Sequence, residues 1–194
     1  TWGILLLAAV GYASFLTLRG LWLGPLLIER HAYSLVHSGH VALVVSLVSL
    51  FGPPLFGRLD PGAPRRRRWL TGFSVAYAAL FLVLAADLGP SIDVALLLLA
   101  GICSGYLVLQ YPDVREAYPP QMTGRALSVF TMAMFLGVAA MQWFTGVVAS
   151  VATGWGWDPF TAVPVAMALI LLAGTGAFAL LPAPPAAAGW RQTI

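Results

Sequence analysis

The chain has 194 residues, of which 60% are hydrophobic and 9% are charged, and its mean hydropathy is +0.87. Because a soluble domain carries roughly 25% charged and 45–50% apolar residues, this composition excludes a water-soluble globular protein. A single cysteine excludes an intrachain disulfide, and a net charge of +3 that is spread along the chain does not fit a nucleic-acid-binding protein.

Six stretches of the chain are long and apolar enough to cross a membrane as helices. Crossing about 30 Å of hydrocarbon takes a helix of about 20 mostly apolar residues. Runs such as 94–101 (VALLLLAG) lack the period-two alternation that a membrane β-barrel needs. The sequence therefore predicts an all-α membrane bundle over residues 1–182, with spans at about 3–27, 39–57, 69–86, 92–111, 126–150 and 160–181.

Prolines and glycines mark expected ends and contacts of these helices. Pro25, Pro53–Pro54 and Pro112 are expected to end or bend the helices in which they occur. Gly20-x-x-x-Gly24 and Gly101-x-x-x-Gly105 fit the pattern of small residues that lets two membrane helices pack closely.

The first predicted span carries an arginine well inside its apolar run. Burying arginine at the centre of a membrane helix costs about 2.5–3.5 kcal/mol, so such residues usually face a cavity or a partner. Tyr12, Phe15, Arg19 and Trp22 are spaced i, i+3, i+7 and i+10 and share one helical face. We interpret this face as the lining of a water-accessible cavity, in which Arg19 holds an anionic group of a substrate. Two other interpretations stay open: Arg19 reaches outward to the interface, or it bonds carbonyl groups of a neighbouring helix.

Three histidines lie in or beside the connection that follows. His37 and His40 are three residues apart and fit one helical face, with His31 shortly before them. Neither a cysteine nor a nearby pair of carboxylates completes a tetrahedral ligand set. The sequence therefore predicts no metal site and no cofactor, and Cys103 is expected to be a small buried apolar residue.

The distribution of arginine predicts the orientation of the chain. One predicted side holds eight of the ten basic residues: Arg58, Arg65, Arg66, Arg67, Arg68, Arg115, Arg125 and Arg191. The opposite side holds only Arg30, beside Glu29. Since cytoplasmic loops carry the excess of basic residues, we expect both termini in the cytoplasm and interpret 65–68 as a topology anchor near anionic lipid.

Polar stripes run along the fourth and fifth spans. Tyr106 and Gln110 follow one stripe, and Gln142 lies on the other. Such stripes join helix to helix or line a cavity, and both interpretations stay open. The third and sixth spans have no amide or charge in their middles and are expected to be peripheral. The predicted substrate cavity is lined by Tyr12, Phe15, Arg19, Trp22, Tyr106, Gln110 and Gln142, with Ser46 and Ser49 of the second span as weaker candidates.

The loop between the second and third spans resembles a motif of a known family. Residues 57–66 read GRLDPGAPRR. They resemble the loop of the major facilitator superfamily in which Gly, Leu, Asp, Gly and paired basic residues recur between the second and third helices of each six-helix half. Residues 115–126 (REAYPPQMTGRA) are similar to that family's connection between its tenth and eleventh helices. Together with 12–20 (YASFLTLRG), they resemble the C-terminal half of a bacterial member.

The resemblance implies a secondary transporter that works by alternating access. Each half of such a protein contains two inverted three-helix repeats, and the halves rock around a central site. It implies that Gly57, Asp60, Arg65 and Arg66 form a conformational-switch loop whose charges favour one conformer. The other interpretation of Asp60 is a turn residue before a proline.

The resemblance also implies partners and a location. An N-terminal six-helix half of the same full-length chain would complete the permease, which fits a chain that begins with Thr1 and that we interpret as a fragment. The transported solute would be a small molecule, with Arg19 favouring an anionic one. The expected location is the bacterial inner membrane, with a disordered cytoplasmic tail over residues 183–194.

Two other functions are weighed against transport. One is a membrane subunit or sensor domain without transport activity. The other is an intramembrane serine protease, because Ser104-Gly105 lies in the fourth span. That chemistry needs a membrane histidine as base, and the three histidines all lie near the first outer loop. The sequence therefore predicts a protein that is not an enzyme.

Overall fold

The computed structural model describes residues 2–181, apart from the side chain of Pro64, and contains no strand in this range. Six helices in this part of the chain are long and apolar enough to span a membrane: α1 (Trp2–Arg30), α2 (Leu35–Arg58), α3 (Arg65–Ala85), α4 (Pro90–Ala117), α5 (Pro120–Gly154) and α6 (Pro159–Leu180). The predicted all-α class is confirmed, and the six helices are compatible with a multi-pass membrane protein. The predicted tail over 183–194 lies outside the described residues.

Three helices depart from regular α geometry along their length. In α1 the segments Leu18–Trp22 and Leu26–Arg30 form wide π-type turns on either side of Pro25. In α4 the segment Ser104–Leu109 forms a tight 3₁₀ stretch before Pro112. These prolines therefore lie inside α1 and α4 and do not end them, because the irregular turns before them have already replaced the regular hydrogen-bond ladder. The prediction that they mark helix ends is wrong.

In α2 the prolines lie just after an interruption of the helix. The first part of α2 ends at Ser49, and the helix resumes at Gly52–Arg58 with Pro53 and Pro54 in its first turn. Proline is tolerated there because the N–H groups of a first turn have no helical acceptor. The helix is therefore interrupted at residues 50–51, just before these prolines, near the end of the second span where a bend was predicted.

Helices α1 and α4 lie at the centre of the bundle. Extensive packing joins α1 to α5 and α6, and α4 to α2 and α3, while α3 and α6 pack on each other and α5 also packs on α6. Large side chains such as Leu7, Phe81, Phe130 and Phe178 are fully buried in these contacts. By contrast, α2 and α5 have no substantial contact with each other, so an open groove runs between them over α1 and α4.

Glycines permit the closest approaches between helices. A Cβ atom added to Gly137 of α5 would lie 2.2 Å from the backbone oxygen of Ala9 in α1. A Cβ added to Gly105 of α4 would lie 2.1 Å from the backbone of Gly52 in α2. The predicted packing role of 101–105 is thus confirmed, whereas Gly20 and Gly24 meet nothing within 4 Å in the described part of the chain.

Apolar side chains remain uncovered along α2 and α5. Only Ser38 and Val45 are buried in the first part of α2. The most exposed large residues of the two helices are Leu35, Val36, Leu50, Phe51, Met132, Leu136 and Trp143. In a membrane such faces contact either lipid tails or another protein surface.

Candidate functional site

The groove between α2 and α5 contains a cavity of about 300 Å³. It is lined by residues of four helices: Tyr12, Phe15, Ser49, Pro53, Ser104, Gly105, Leu107, Val108, Tyr111 and Met134. Tyr12 and Phe15 were predicted to line the substrate cavity, and the structure places both there. The aromatic rings of Tyr12 and Phe135 of α5 pack in an edge-to-face arrangement, with ring centroids 5.8 Å apart.

Arg19 lies beyond Phe15, in the first wide turn of α1, and its side chain is exposed. Its Nε donates a hydrogen bond of 3.0 Å to the hydroxyl of Ser46 in α2. That hydroxyl donates in turn to the carbonyl of Ala42 at 2.6 Å. The guanidinium makes no ion pair with any acidic side chain in residues 2–181. Arg19 is thus a cation at the groove that has no acidic partner in residues 2–181 and is bonded to the neutral hydroxyl of Ser46.

Trp22 leaves the face that it was predicted to share with Arg19. Its indole Nε1 donates to the hydroxyl of Thr145 in α5 at 3.1 Å, and its ring packs edge-on against Phe160 of α6. The π-type turn at Leu18–Trp22 adds about one residue to the turn and rotates the following residues about the helix axis. A strict 3.6-residue period therefore stops holding at this point of α1.

Tyr106 and Gln110 lie behind the cavity and not on its wall. The Tyr106 ring is fully buried, stacks on Phe73 and shares a 3.0 Å hydrogen bond with the Ser74 hydroxyl of α3. Gln110 is 2% exposed, and neither atom of its amide has a hydrogen-bond partner in the described part of the chain. A Cβ added to Gly11 of α1 would lie 3.7 Å from the amide nitrogen of Gln110 and 3.7 Å from the hydroxyl oxygen of Tyr106. Both polar groups therefore lie close to α1 at a residue that has no side chain.

Gln142 lies on α5 and is half-buried. Its backbone carbonyl accepts a hydrogen bond from the Thr145 hydroxyl at 3.1 Å. Its amide makes no hydrogen bond to another side chain within residues 2–181. The structure therefore places Tyr12 and Phe15 on the cavity and Arg19 beside Ser46 of α2, and it leaves the role of Gln142 as a prediction.

The predicted switch loop contains an ion-pair cluster around Arg66. The Arg66 side chain is 3% exposed and donates to both carboxylate oxygens of Asp60, with Nη2 2.8 Å from Oδ2. Its Nη1 lies 2.8 Å from Oε2 of Glu116, near the end of α4. The cluster therefore ties the connection between α2 and α3 to α4.

Asp60 is both a turn residue and an ion-pair partner. Its Oδ1 accepts a 3.0 Å hydrogen bond from the backbone N–H of Gly62, whose φ of +79° suits glycine. The hydrogen bonds from Arg66 lower the pKa of the Asp60 carboxyl below its usual value of 3.8, and the Gly62 N–H lowers it further. Arg65 and Gly57 are exposed and stand outside this contact.

Glu116 completes the cluster and was missed from the sequence. It lies in the segment 115–126, on the side of the membrane that was also predicted for the Arg-rich loop 57–68. Its negative charge opposite that basic loop was the feature of the sequence that could have predicted the contact. Arg65, which was predicted to belong to the switch loop with Asp60 and Arg66, makes no ion pair in the described residues. Its neighbour Arg66 occupies the position because only one of the two successive residues faces α4.

Comparisons with protein-family models, with curated proteins and with solved structures find no match for this chain. The likeness to the major facilitator superfamily is therefore carried by the motifs of the sequence, and its consequences are proposals.

Proposed function

We propose that this chain is one six-helix half of a secondary transporter of the major facilitator type, which moves a small solute by alternating access. The unpaired Arg19 guanidinium in the groove between α2 and α5 carries the proposal. Such a charge in a membrane helix is costly unless it faces water, a ligand or a partner. An anionic group of a solute would supply the missing counter-charge, so we propose a carboxylate or phosphate among the transported chemistry.

The packing of the helices supports two three-helix repeats. If α1 is exchanged with α4, α2 with α5 and α3 with α6, the α1–α5 contact becomes the α4–α2 contact, and the α1–α6 contact becomes the α4–α3 contact. The contact of α3 with α6 maps onto itself. The packing of α5 on α6 is the exception, since α2 and α3 make no comparable contact.

The glycine crossings follow the same exchange. Gly137 of α5 meets Ala9 of α1, and Gly52 of α2 meets Gly105 of α4. Both crossings bring two backbones into direct contact. This correspondence favours an inverted repeat of the kind that secondary transporters contain.

A second six-helix half would cover the groove. The groove holds the Arg19 charge beside Ser46, and lipid tails would leave that charge unsolvated. A partner half facing these residues would enclose a central aqueous site. We propose that this partner is the N-terminal half of the same full-length protein, in the bacterial inner membrane, with the Arg-rich loops in the cytoplasm.

The Arg66 cluster fits a conformational switch in this scheme. It joins the first three-helix group, through the loop before α3, to the second group, through Glu116 of α4. Its bonds would be kept in one conformer and broken in another. Removing them would shift the equilibrium between conformers without removing the solute site.

The environment of Ser104 favours transport over proteolysis. Its hydroxyl donates to the carbonyl of Gly101 at 2.7 Å and is buried. His31 bonds Asp93, which lies eleven residues before Ser104 on α4, a rise of about 16 Å. A serine nucleophile needs its base within hydrogen-bond reach.

The test is solute uptake into proteoliposomes that contain the full-length protein. A panel of small carboxylates and phosphates is compared with uncharged sugars. We expect saturable uptake of at least one anion, which Arg19→Ala lowers by roughly tenfold or more, because a hydrogen bond to a charged group is worth about 1.5–3 kcal/mol. Arg68→Ala, at an exposed arginine that makes no bond in residues 2–181, is the matched control and should leave uptake unchanged. Unchanged uptake in Arg19→Ala would remove Arg19 from the site, and no uptake of any solute would contradict transport.

A further inference from the structure

A second cluster of ionisable side chains lies at the opposite end of α4 from Glu116. His31 follows the last turn of α1, Asp87 lies in the connection between α3 and α4, and Asp93 lies in the first turn of α4. These residues are separated by up to 62 positions and come together only because α1 packs beside α4. None of them belongs to the groove or to the switch loop.

The three side chains offer metal-ligand atoms that converge on one point. One ligand atom from each of His31, Asp87 and Asp93 lies within 4.8 Å of the other two. The closest pair is Nε2 of His31 and Oδ2 of Asp93, at 2.7 Å. The side chains of His31 and Asp93 are 5% and 0% exposed, whereas that of Asp87 is 53% exposed. The site is therefore buried on two sides and open to solvent on the third.

Asp93 has an unused ligand atom. Its Oδ1 is buried and has no hydrogen-bond partner in the described part of the chain. A buried carboxylate oxygen without a partner is costly, and most buried polar atoms in proteins are satisfied. A cation that Asp93 binds through both of its carboxylate oxygens would satisfy Oδ1, which the surrounding side chains do not.

Arg30 is the cation that already stands beside the cluster. Its guanidinium is 3.5 Å from Asp87 and 3.7 Å from Asp93, distances that are longer than hydrogen bonds. It donates hydrogen bonds to the carbonyl of Leu84 at 3.1 Å and to the hydroxyl of Thr161 at 3.2 Å. Its guanidinium also lies 3.4 Å from the carboxylate of Asp158, so Arg30 keeps an acidic partner outside the cluster when Asp87 and Asp93 bind another ion.

We propose that His31, Asp87 and Asp93 bind a divalent transition-metal ion such as Zn²⁺. One imidazole nitrogen with two carboxylate oxygens is a ligand set that suits transition metals better than Ca²⁺ or Mg²⁺. Ligand distances of about 2.0–2.2 Å require the most separated atoms to move inward slightly, and the ion takes the place of the proton between His31 and Asp93. A water molecule fills the fourth position on the exposed side. The ion would hold the end of α1 against the start of α4.

The test uses Co²⁺ as a coloured substitute for Zn²⁺ on the full protein in detergent. We expect visible absorption bands that saturate at one Co²⁺ per protein and disappear when Zn²⁺ is added. His31→Gln and Asp87→Asn should each weaken Co²⁺ binding by roughly tenfold or more, because even the loss of a residue that only supports a ligand costs 10–100-fold. Asparagine suits position 87, where φ is +49°.

His37→Gln is the matched control. His37 is exposed and its ring lies 6.4 Å from that of His40, so this variant removes the other histidine pair of the region. Co²⁺ binding should be unchanged in it. Asp87 lies in an exposed turn, so Asp87→Asn still gives an answer if His31→Gln does not fold. The proposal is overturned if wild-type protein shows no saturable absorption, if Asp87→Asn binds Co²⁺ as wild type does, or if His37→Gln abolishes binding.

Discussion

Arg66 illustrates how a single charged residue is accommodated at the edge of the bundle. With only 3% of its side chain exposed, it would be costly without partners, and both Asp60 and Glu116 accept hydrogen bonds from it at 2.8 Å. The two carboxylates differ in exposure, at 24% for Asp60 and 51% for Glu116. Asp60 should therefore contribute more to stability than Glu116.

Replacing Asp60 by asparagine should destabilise the protein in a pH-dependent way. At neutral pH we expect a loss of about 1.5–3 kcal/mol, the range for a hydrogen bond to a charged group. Because the pKa of Asp60 is lowered in the folded protein, its contribution is complete above the usual value of 3.8 and is lost as the pH falls through the lower folded value. Thermal unfolding of wild type and Asp60→Asn should thus differ at pH 7 and converge in acid.

The neighbouring Arg65 supplies a control for this comparison. Arg65→Gln removes an exposed charge that makes no ion pair in residues 2–181, so its unfolding temperature should stay close to wild type at every pH. A gap between wild type and Asp60→Asn that stays constant into strong acid would contradict the assigned ion pair.

At the scale of single helices, the crossing of α1 and α5 depends on one glycine. A Cβ on Gly137 would lie 2.2 Å from the carbonyl oxygen of Ala9 and 2.7 Å from its Cα, and backbone atoms cannot rotate away. We expect Gly137→Ala to push the two helices apart and to cost about 1–3 kcal/mol. The change should appear as a lower unfolding temperature in detergent.

Gly146 of the same helix gives the opposite prediction. It meets nothing within 4 Å, so Gly146→Ala adds a methyl group to open space and only lowers the entropy of the unfolded chain. The expected result is a gain of about 0.5–1 kcal/mol. Equal effects at positions 137 and 146 would show that helix propensity and not backbone contact decides the outcome.

The irregular turns at Leu18–Trp22 and Ser104–Leu109 mark where prediction from the sequence stopped working. The apolar lengths of the helices followed from composition, and Tyr12 and Phe15, which the 3.6-residue period placed on one face, both line the cavity in the groove. Trp22 and Tyr106 were misplaced because the wide turn at Leu18–Trp22 and the tight stretch at Ser104–Leu109 rotate the faces that follow them. Such turns depend on contacts with other helices, which a local pattern does not contain.

At the scale of the whole molecule, the charge clusters depend on packing between distant segments. Arg30 meets Asp87, Asp93 and Asp158 only after α1, α4 and α6 have assembled. Composition could place these groups near one side of the membrane but not against each other. The open groove has the same origin, because it exists only where α2 and α5 fail to touch.

The accessibility of the groove to water decides between a vestibule and a lipid-facing surface. Ser46 lies near the middle of α2 beside Arg19, and Leu169 lies near the middle of α6 with 60% of its surface exposed. With Cys103 replaced by alanine, we expect Ser46→Cys in membranes to react with a membrane-impermeant maleimide. Leu169→Cys should stay unreactive, because a thiol among lipid tails does not form the thiolate that reacts. Both helices reach similar depth, so the pair differs mainly in what it faces. If Ser46→Cys is not labelled in membranes but is labelled after detergent solubilisation, lipid covers the groove. The proposed central site would then be wrong.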